Sequence, residues 1–134
     1  MHWWNNYVGI PYEWGGHSRS GASCWGLVCL VQQEVFGKRL PRMDELEHDL
    51  LNGEDVQASS FARLGQEVPL SEVESGDVLH MRTSIHGRVL PLHCGIVTEP
   101  GKVLHTEEYI GSSIRSYSAD ARFQNRVLGA YRVV

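Results

Sequence analysis

The fold is decided by the stretch Gly21-Ala22-Ser23-Cys24-Trp25-Gly26-Leu27-Val28, a short polar turn that runs directly into an apolar helix. Ser23 is a suitable N-cap and Gly37 a suitable stop, and apolar residues recur between them at helical spacing. If Cys24 begins this helix, the unpaired N–H groups and the positive end of the helix dipole favour its thiolate. The stretch therefore predicts a helix-borne nucleophile. Gly26 predicts a close approach to another backbone, for which a sheet is the natural candidate.

Composition limits the classes to which the chain can belong. The 134 residues are 42% hydrophobic and 21% charged, which predicts one compact domain over residues 1–134. The formal net charge of -4 and the scattered basic residues argue against a nucleic-acid binder. No run of eighteen apolar residues occurs, so we expect no membrane span.

The N-terminal segment and the cysteines bear on the cellular compartment. The first residues lack a basic segment followed by a long apolar run, so we expect synthesis in the cytoplasm without a secretion signal. Three cysteines cannot all pair with one another, and Cys24 and Cys29 are too close along one helix for a likely bridge. Free thiols fit best, with Cys29 as a packing residue.

The two halves of the chain differ in their patterns. Acidic and weakly helical segments follow the first helix, at 44–51 and 54–64, and the acidic run is typical of a solvated helix face. The second half has short apolar runs separated by turn residues. The predicted strands are Val78 to Met81, Leu92 to Thr98, Val103 to Thr106, Ser113 to Tyr117 and Val127 to Val133. A short helical turn is expected after Ser118. Helices first and a mostly antiparallel sheet afterwards predict an α+β domain.

Two of the seven histidines lie in the strongest pair of predicted strands. His93 and His105 flank a turn short enough for a hairpin, so both imidazoles can share one face if the register allows it. That face could meet Cys24, and a thiol with a base and an orienting residue forms a nucleophilic arrangement. Strand histidines are often ordinary half-buried residues and cysteines are often buried, so packing roles remain an alternative at this point.

The ligand-type side chains also permit a zinc site. The candidates are His80, His86, His93, Cys94 and His105. However, Cys94 directly follows His93 and should point to the opposite face of the sheet, and neither CxxC nor HExxH occurs. Zinc is therefore the weaker alternative, and we expect neither a metal nor an organic cofactor.

Six short motifs follow one another along most of the chain. They are Tyr12-x-Trp14-Gly15-Gly16, Gly21-x-x-Cys24-x-Gly26-Leu27-Val28, Leu40-Pro41-Arg42, Gly76-Asp77-Val78, His93-x-Gly95-Ile96 and Val103-Leu104-His105. In this order they resemble the motifs of NlpC-type cell-wall cysteine peptidases. The Cys-Trp-Gly-Leu-Val variant and the ending Arg126-Val127-Leu128-Gly129-Ala130-Tyr131-Arg132 resemble the phage-tail and prophage branch of that superfamily.

The resemblance implies a papain-like fold and a reaction. A helix-borne cysteine would pack against an antiparallel sheet, and the protein would hydrolyse peptide bonds in the stem or cross-bridge of peptidoglycan, commonly beside D-glutamate. By matching of motifs, Cys24 would be the nucleophile, His93 its base and His105 the orienting third member. Tyr12 matches the family tyrosine at the cleft, and the Cys24 backbone N–H is a candidate oxyanion donor. Cys94 should be a buried neighbour of the active face.

Two residues depart from the pattern of the family. Asp usually precedes the cysteine and Ser often follows it, whereas this chain has Ser23 and Trp25, which we group with Tyr12 as substrate-binding residues. In members that recognise a free stem-peptide amine, the aspartate helps to receive its charge, and a serine offers no carboxylate. We therefore hypothesise that this protein does not depend on a free N-terminal L-Ala.

The resemblance also suggests partners, delivery and alternative functions. We expect a peptidoglycan peptide as substrate and phage-tail proteins as partners, with action at the cell wall after delivery by a phage particle or another protein. One alternative is a catalytically weak tail or wall-binding module of the same fold. Another is an amidase or acyltransferase that uses the same three residues.

Overall fold

The computed structural model describes residues 2–41 and 65–134. The predicted helical segments at 44–51 and 54–64, and Arg42 of the Leu40-Pro41-Arg42 motif, lie outside the described residues. Among the described residues, no helix is both long and apolar enough to cross a membrane. The extension of a single domain through all of residues 1–134 stays a prediction.

Short elements precede the main helix. A 3-10 helix spans Trp3–Tyr7, and two short antiparallel strands, β1 (His17–Ser18) and β2 (Gly21–Ala22), follow it. The turn that the sequence places before the helix is therefore the end of a small hairpin. Two residues per strand give too short a pattern for a strand prediction.

The predicted helix is α1, Cys24–Phe36, and it begins and ends as expected. The Ser23 hydroxyl accepts a hydrogen bond from the Gly26 N–H at 3.1 Å, and Gly37 closes the helix in the left-handed conformation with φ 69°. A Cβ at Gly26 would overlap the Gly16 carbonyl oxygen just before β1. The expected approach to a sheet is thus replaced by an approach to the loop that leads into the hairpin.

A six-stranded sheet forms the rest of the described chain. Its strands are β3 (Gly65–Val68), β4 (Val78–Ile85), β5 (Arg88–Glu99), β6 (Lys102–Glu107), β7 (Gly111–Ser116) and β8 (Val127–Val133). The spatial order is β3-β8-β4-β5-β6-β7, and all neighbours are antiparallel. The short predicted helix is α2, Ala121–Gln124, with the Asp120 carboxylate as its N-cap. The α+β prediction is confirmed.

The sheet has a hydrophobic core on each face. Neighbouring residues on one strand enter opposite cores, as Ile96 and Val97 show. The first core lies between the sheet and α1 and includes Leu27, Val28 and Cys94. The second core contains Val97 and Phe123. Helix α1 therefore holds its N-terminus firmly against the middle of β5.

The β4–β5 hairpin is longer than the sequence predicts. Strand β4 continues past Met81 to Ile85, and β5 begins at Arg88 instead of Leu92. The two-residue turn between them, His86 and Gly87, has φ values of 50° and 78°, which suit a tight hairpin. Polar and apolar residues are mixed in the added segments, and those whose burial is described are exposed or half-buried, so no buried apolar pattern marks them as strand. This hairpin forms one wall of the cleft described below.

Candidate active site

Cys24 is the first residue of α1 and is half-buried where the helix meets β5. Its Sγ lies 3.9 Å from the Leu92 carbonyl oxygen. The pKa of Cys24 lies well below its usual value, mainly because the Cys94 thiol donates a hydrogen bond to the sulfur. A hydrogen bond and the charge of His93, together with the Cys94 backbone N–H, lower this pKa further, whereas burial raises it. The sulfur is therefore set up as a thiolate.

Cys94 is fully buried beside this sulfur. Burial and the neighbouring Cys24 sulfur raise the pKa of the Cys94 thiol well above its usual value. Cys94 is therefore the protonated thiol that donates the hydrogen bond, and the Cys24 sulfur is the acceptor. The predictions that Cys94 is buried and lies across the sheet from His93 are confirmed, because it packs in the first core. Cys29 is also buried, and its thiol donates to the Pro41 carbonyl oxygen at 3.5 Å.

His93 and His105 are brought together by the antiparallel pairing of β5 and β6, as predicted. His93 Nε2 lies 2.8 Å from His105 Nδ1, and the two rings meet edge to face. The edge of His105 also packs on Phe123 of α2. Because Nε2 of His93 is used by this hydrogen bond, Nδ1 is the nitrogen left for the Cys24 sulfur.

His105 is neutral at ordinary pH. Burial, assisted by the positive charge of His93, lowers the pKa of His105 to about 3, against the opposing effect of Glu107. A neutral ring can accept at Nδ1, so it can receive the Nε2–H of a protonated His93. The arrangement therefore suits a Cys24 thiolate paired with a His93 imidazolium, with His105 as the acceptor that orients it.

Glu107 and Arg126 complete the surroundings of the histidines, and sequence reasoning missed both. Glu107 Oε1 lies 3.8 Å from His105 Nδ1 and 2.6 Å from Arg126 Nη1. Burial raises the pKa of Glu107, but the Arg126 hydrogen bond and charge outweigh it and lower that pKa. The spacing of two residues from His105 on one strand was an available signal for Glu107. Arg126 arrives from just before β8, and the local pattern carries no signal for it.

A cleft of about 980 Å³ opens over Cys24 and His93. Its lining also includes Tyr12, Trp14, Arg82, Thr83, Ser84, Val89, Thr106, Glu107, Glu108, Asn125 and Arg126. Tyr12 is where the resemblance implies, and burial together with the charges of Cys24 and Glu108 raises its pKa. Trp14 is 76% exposed at the cleft. The cleft is large enough to receive a short peptide.

Ser23 and Trp25 are not part of the lining of this cleft. Ser23 is buried and caps the helix, and its hydroxyl also donates to the Gly16 carbonyl oxygen at 3.5 Å. Trp25 is buried in the first core and donates from Nε1 to the Pro41 carbonyl oxygen at 2.7 Å. Their assignment to substrate binding stays a prediction, and the contacts that the structure gives them are structural.

Two of the histidines considered for zinc, His80 and His86, do not join the His93–His105 pair. His80 Nε2 lies 2.8 Å from the Pro91 carbonyl oxygen, and His86 is exposed in the β4–β5 turn. Among the described residues, donor atoms of His93, His105 and Glu107 lie within 4.8 Å of one another. Those atoms face each other or Arg126 in hydrogen bonds and ion pairs. This geometry suits a proton network better than a set of metal ligands.

Comparison with known proteins identifies the family. The model of the NlpC/P60 family matches residues 9–132, which is most of the chain. The chain belongs to the NlpC/P60 family. Among family members, the murein DD-endopeptidase MepH of Escherichia coli is 29% identical over 129 residues, which are 95% of this chain and 42% of that protein. The γ-D-glutamyl-L-lysine dipeptidyl-peptidase of Bacillus subtilis is 28% identical over 126 residues, which are 94% of this chain and 37% of that protein.

A probable endopeptidase of Mycobacterium tuberculosis is 31% identical over 114 residues, covering 85% of this chain and 24% of that protein. The chain therefore spans less than half the length of each of these NlpC/P60 relatives.

Solved structures of NlpC/P60 proteins have the same fold as this chain. A lipoprotein-like NlpC/P60 protein of Staphylococcus aureus superposes with a TM-score of 0.67 at 26% identity, covering 96% of this chain and 38% of that chain. The NlpC/P60 domain of the peptidoglycan hydrolase SagA has a TM-score of 0.63 at 22% identity, covering 96% and 92% of the two chains.

Proposed function

We propose that this chain is a cysteine peptidase that hydrolyses peptide bonds in the stem or cross-bridge peptides of peptidoglycan. The observation that carries the proposal is Cys24 at the start of α1, hydrogen-bonded to His93, whose Nε2 lies 2.8 Å from His105 Nδ1 at an open cleft. The printed names of the relatives, which include a murein endopeptidase and a glutamyl-lysine dipeptidyl-peptidase, support the class of substrate.

The reaction proceeds by acyl transfer. The Cys24 thiolate attacks the substrate carbonyl, and His93 donates its proton to the leaving amine as the tetrahedral intermediate collapses. His93 then takes a proton from water, whose oxygen attacks the acyl carbon, and the breaking C–S bond releases the acid product and restores the Cys24 thiolate beside the His93 imidazolium. His105 orients His93 throughout. The Cys24 backbone N–H, at the first position of α1, is our candidate oxyanion donor.

Digestion of purified peptidoglycan tests this function. We expect wild type to release peptide fragments and Cys24→Ala to lose at least about 10³-fold in rate, because a nucleophile has been removed. Cys29→Ser is the matched control, since it alters a buried cysteine that donates to Pro41 and not to the nucleophile. Unchanged hydrolysis by Cys24→Ala contradicts the proposal.

The identity of the fragments separates the alternatives. Mass analysis that locates the cut between two amino acids supports a peptidase, whereas release of intact stem peptides from glycan indicates an amidase. Retention of wild type on the wall without any cleavage indicates the binding module. Defined stem peptides with free and with blocked N-termini form a second arm, in which we expect both to be cut. A strict requirement for the free amine contradicts the hypothesis based on Ser23.

We also propose that the protein acts at the cell wall after delivery by a phage particle or partner. The support is the resemblance of the Cys24–Val28 variant and of the ending Arg126–Arg132 to the phage-tail branch. Mass spectrometry of purified particles from an induced producing strain tests it. Peptides of this chain in the particles support delivery by phage, and their absence from intact particles that contain the other tail proteins contradicts it.

A further inference from the structure

We propose that Glu107 and Arg126 are a positioning pair that sets the pH range in which the Cys24 thiolate and the His93 imidazolium coexist. The proposal rests on the proposed function for its meaning in catalysis. Neither residue belongs to the Cys24, His93 and His105 set. The two side chains form one unit beside the histidines, with 2.6 Å between Glu107 Oε1 and Arg126 Nη1.

The Glu107 carboxylate is close enough to His93 and His105 to interact electrostatically with both. Its carboxylate oxygen lies 3.8 Å from His105 Nδ1, the atom that His93 also contacts. At this distance it is not a direct hydrogen-bond partner, so it acts through its charge. A bare carboxylate here would favour protonation of the histidines. The positive charge of the Arg126 guanidinium, which is paired with this carboxylate, opposes that tendency.

Arg126 is fixed by three contacts that leave it little freedom. Besides binding Glu107, it donates from Nε to the Arg82 carbonyl oxygen at 3.1 Å, and its guanidinium lies 5.1 Å from the centroid of the Phe123 ring. Phe123 in turn packs against the edge of His105. These contacts hold the positive charge of Arg126 close to the histidine pair.

The charged groups that face the histidines come from several elements. Cys24, the first residue of α1, faces His93. Three charged residues act on His105: Glu107 at the end of β6, Arg115 on β7, and Arg126 just before β8. The Arg115 side chain is half-exposed and lies over Phe123 without contacting Glu107 in an ion pair. Water screens it more than the Glu107–Arg126 pair. Glu107 and Arg126 therefore act on the histidines with less screening by water than Arg115 does.

Removal of the Glu107 charge and removal of the Arg126 charge should shift the pH–activity profile in opposite directions. Glu107→Gln leaves the Arg126 charge uncompensated, which favours the thiolate and disfavours the imidazolium, so both limbs of the pH profile shift to lower pH. Arg126→Met leaves the carboxylate uncompensated, so both limbs shift to higher pH. The double variant removes both charges and should return close to the wild-type profile.

The experiment measures two profiles for these three variants. The first is the pH dependence of kcat/KM on a peptidoglycan peptide. The second is the pH dependence of Cys24 alkylation by iodoacetamide, which needs no substrate and reports the thiolate directly. At a fixed pH on the acid limb, we expect alkylation to rise at least about threefold in Glu107→Gln and to fall as much in Arg126→Met.

Glu99→Gln is the matched control, because Glu99 forms an exposed ion pair with Lys102 at 3.3 Å in the next turn and should leave both profiles unchanged. Thermal unfolding verifies that each variant is folded. Opposite shifts that cancel in the double variant support the pair. Shifts in the same direction, no shift in folded variants, or a rise in KM with unchanged profiles would overturn it. If no peptide is hydrolysed, the proposed function fails while alkylation still tests the pair.

Discussion

Cys24 has a second thiol, Cys94, as a direct neighbour, and this contact gives the residue much of its character. The hydrogen bond from Cys94 is the largest influence that lowers the pKa of Cys24, ahead of the hydrogen bond and charge of His93. The helix N-terminus adds a favourable field. Cys94 is therefore more than a packing residue, because its thiol proton stabilises the Cys24 thiolate.

Replacement of Cys94 by alanine tests this contact. We expect the pKa of Cys24 to rise in Cys94→Ala, since the thiolate loses a hydrogen-bond donor while the backbone N–H and His93 remain. The alkylation rate measured against pH reports the change. Cys29→Ser is the control, because it modifies a buried cysteine whose thiol donates to Pro41. The same profile in Cys94→Ala and wild type would show that the thiol contributes nothing.

Much of the site at this scale was accessible from the sequence. The helix start at Cys24 and the hairpin that pairs His93 with His105 were predicted from local signals, and the family resemblance supplied the roles proposed for the three residues. Cys94 was predicted as a buried neighbour of the active face, but its hydrogen bond to Cys24 was not, because alternation along β5 places Cys94 and His93 on opposite faces and does not show that one sulfur can contact both. The Glu107–Arg126 pair was missed because its members come from different elements, β6 and the segment before β8, and no local pattern links them.

At the scale of the element, α1 depends on close contact with the loop before β1. Gly26 lies in the first turn, and its lack of a side chain lets the Gly16 carbonyl approach the helix. The Ser23 N–H also donates to that carbonyl at 3.0 Å. The same carbonyl therefore ties the loop to the capping residue and excludes any side chain at position 26.

We expect Gly26→Ala to destabilise the protein by about 1–3 kcal/mol or more, although alanine is the better helix former, because the new methyl group would overlap fixed backbone. Gly129→Ala is the matched control, since the nearest atom to a Cβ there would be 3.8 Å away. Chemical denaturation of both variants measures the difference. Equal stability of Gly26→Ala and wild type would contradict the close approach.

The elements differ in how well their sequences predict them. Helix α1 carries a cap, an apolar face and a glycine stop, so its bounds were predicted closely. Strand β3 has the sequence Gly-Gln-Glu-Val, with Val68 as its buried residue, and it pairs at the edge of the sheet with β8. Backbone hydrogen bonds to a strand that is remote in sequence hold β3 in the sheet, so its own residues show no pattern that predicts a strand.

On the scale of the whole molecule, burial of neutral His105 couples stability to pH. Its pKa is about 3 in the folded protein and near 6.5 in an unfolded chain, so the unfolded state binds more protons between these values. The contribution of neutral His105 to the free energy of unfolding is fully present above about pH 6.5 and is lost as the pH falls towards 3. Acid therefore destabilises the fold through the face of the sheet that carries the His93–His105 pair.

The thermal midpoint of wild type should fall between pH 7 and pH 5, and the fall should be smaller in His105→Asn, which has no group to protonate at that position. His86→Asn is the control, since His86 is exposed in a turn with φ 50°, a conformation that asparagine tolerates. The same pH dependence in His105→Asn and wild type would refute the coupling.

The place of β8 between β3 and β4 has a consequence for the order of folding. Strand β3 emerges from the ribosome before β4, yet its neighbour in the sheet is β8, some sixty residues later in the chain. Arg126, which precedes β8, arrives at the same time as the strand that closes the sheet. A nascent chain can thus assemble α1 and the β4–β7 meander while its histidine pair still lacks the charge that compensates Glu107. Arrival of Arg126 beside the histidine pair and closure of the sheet by β8 are therefore one late event in the folding of this chain.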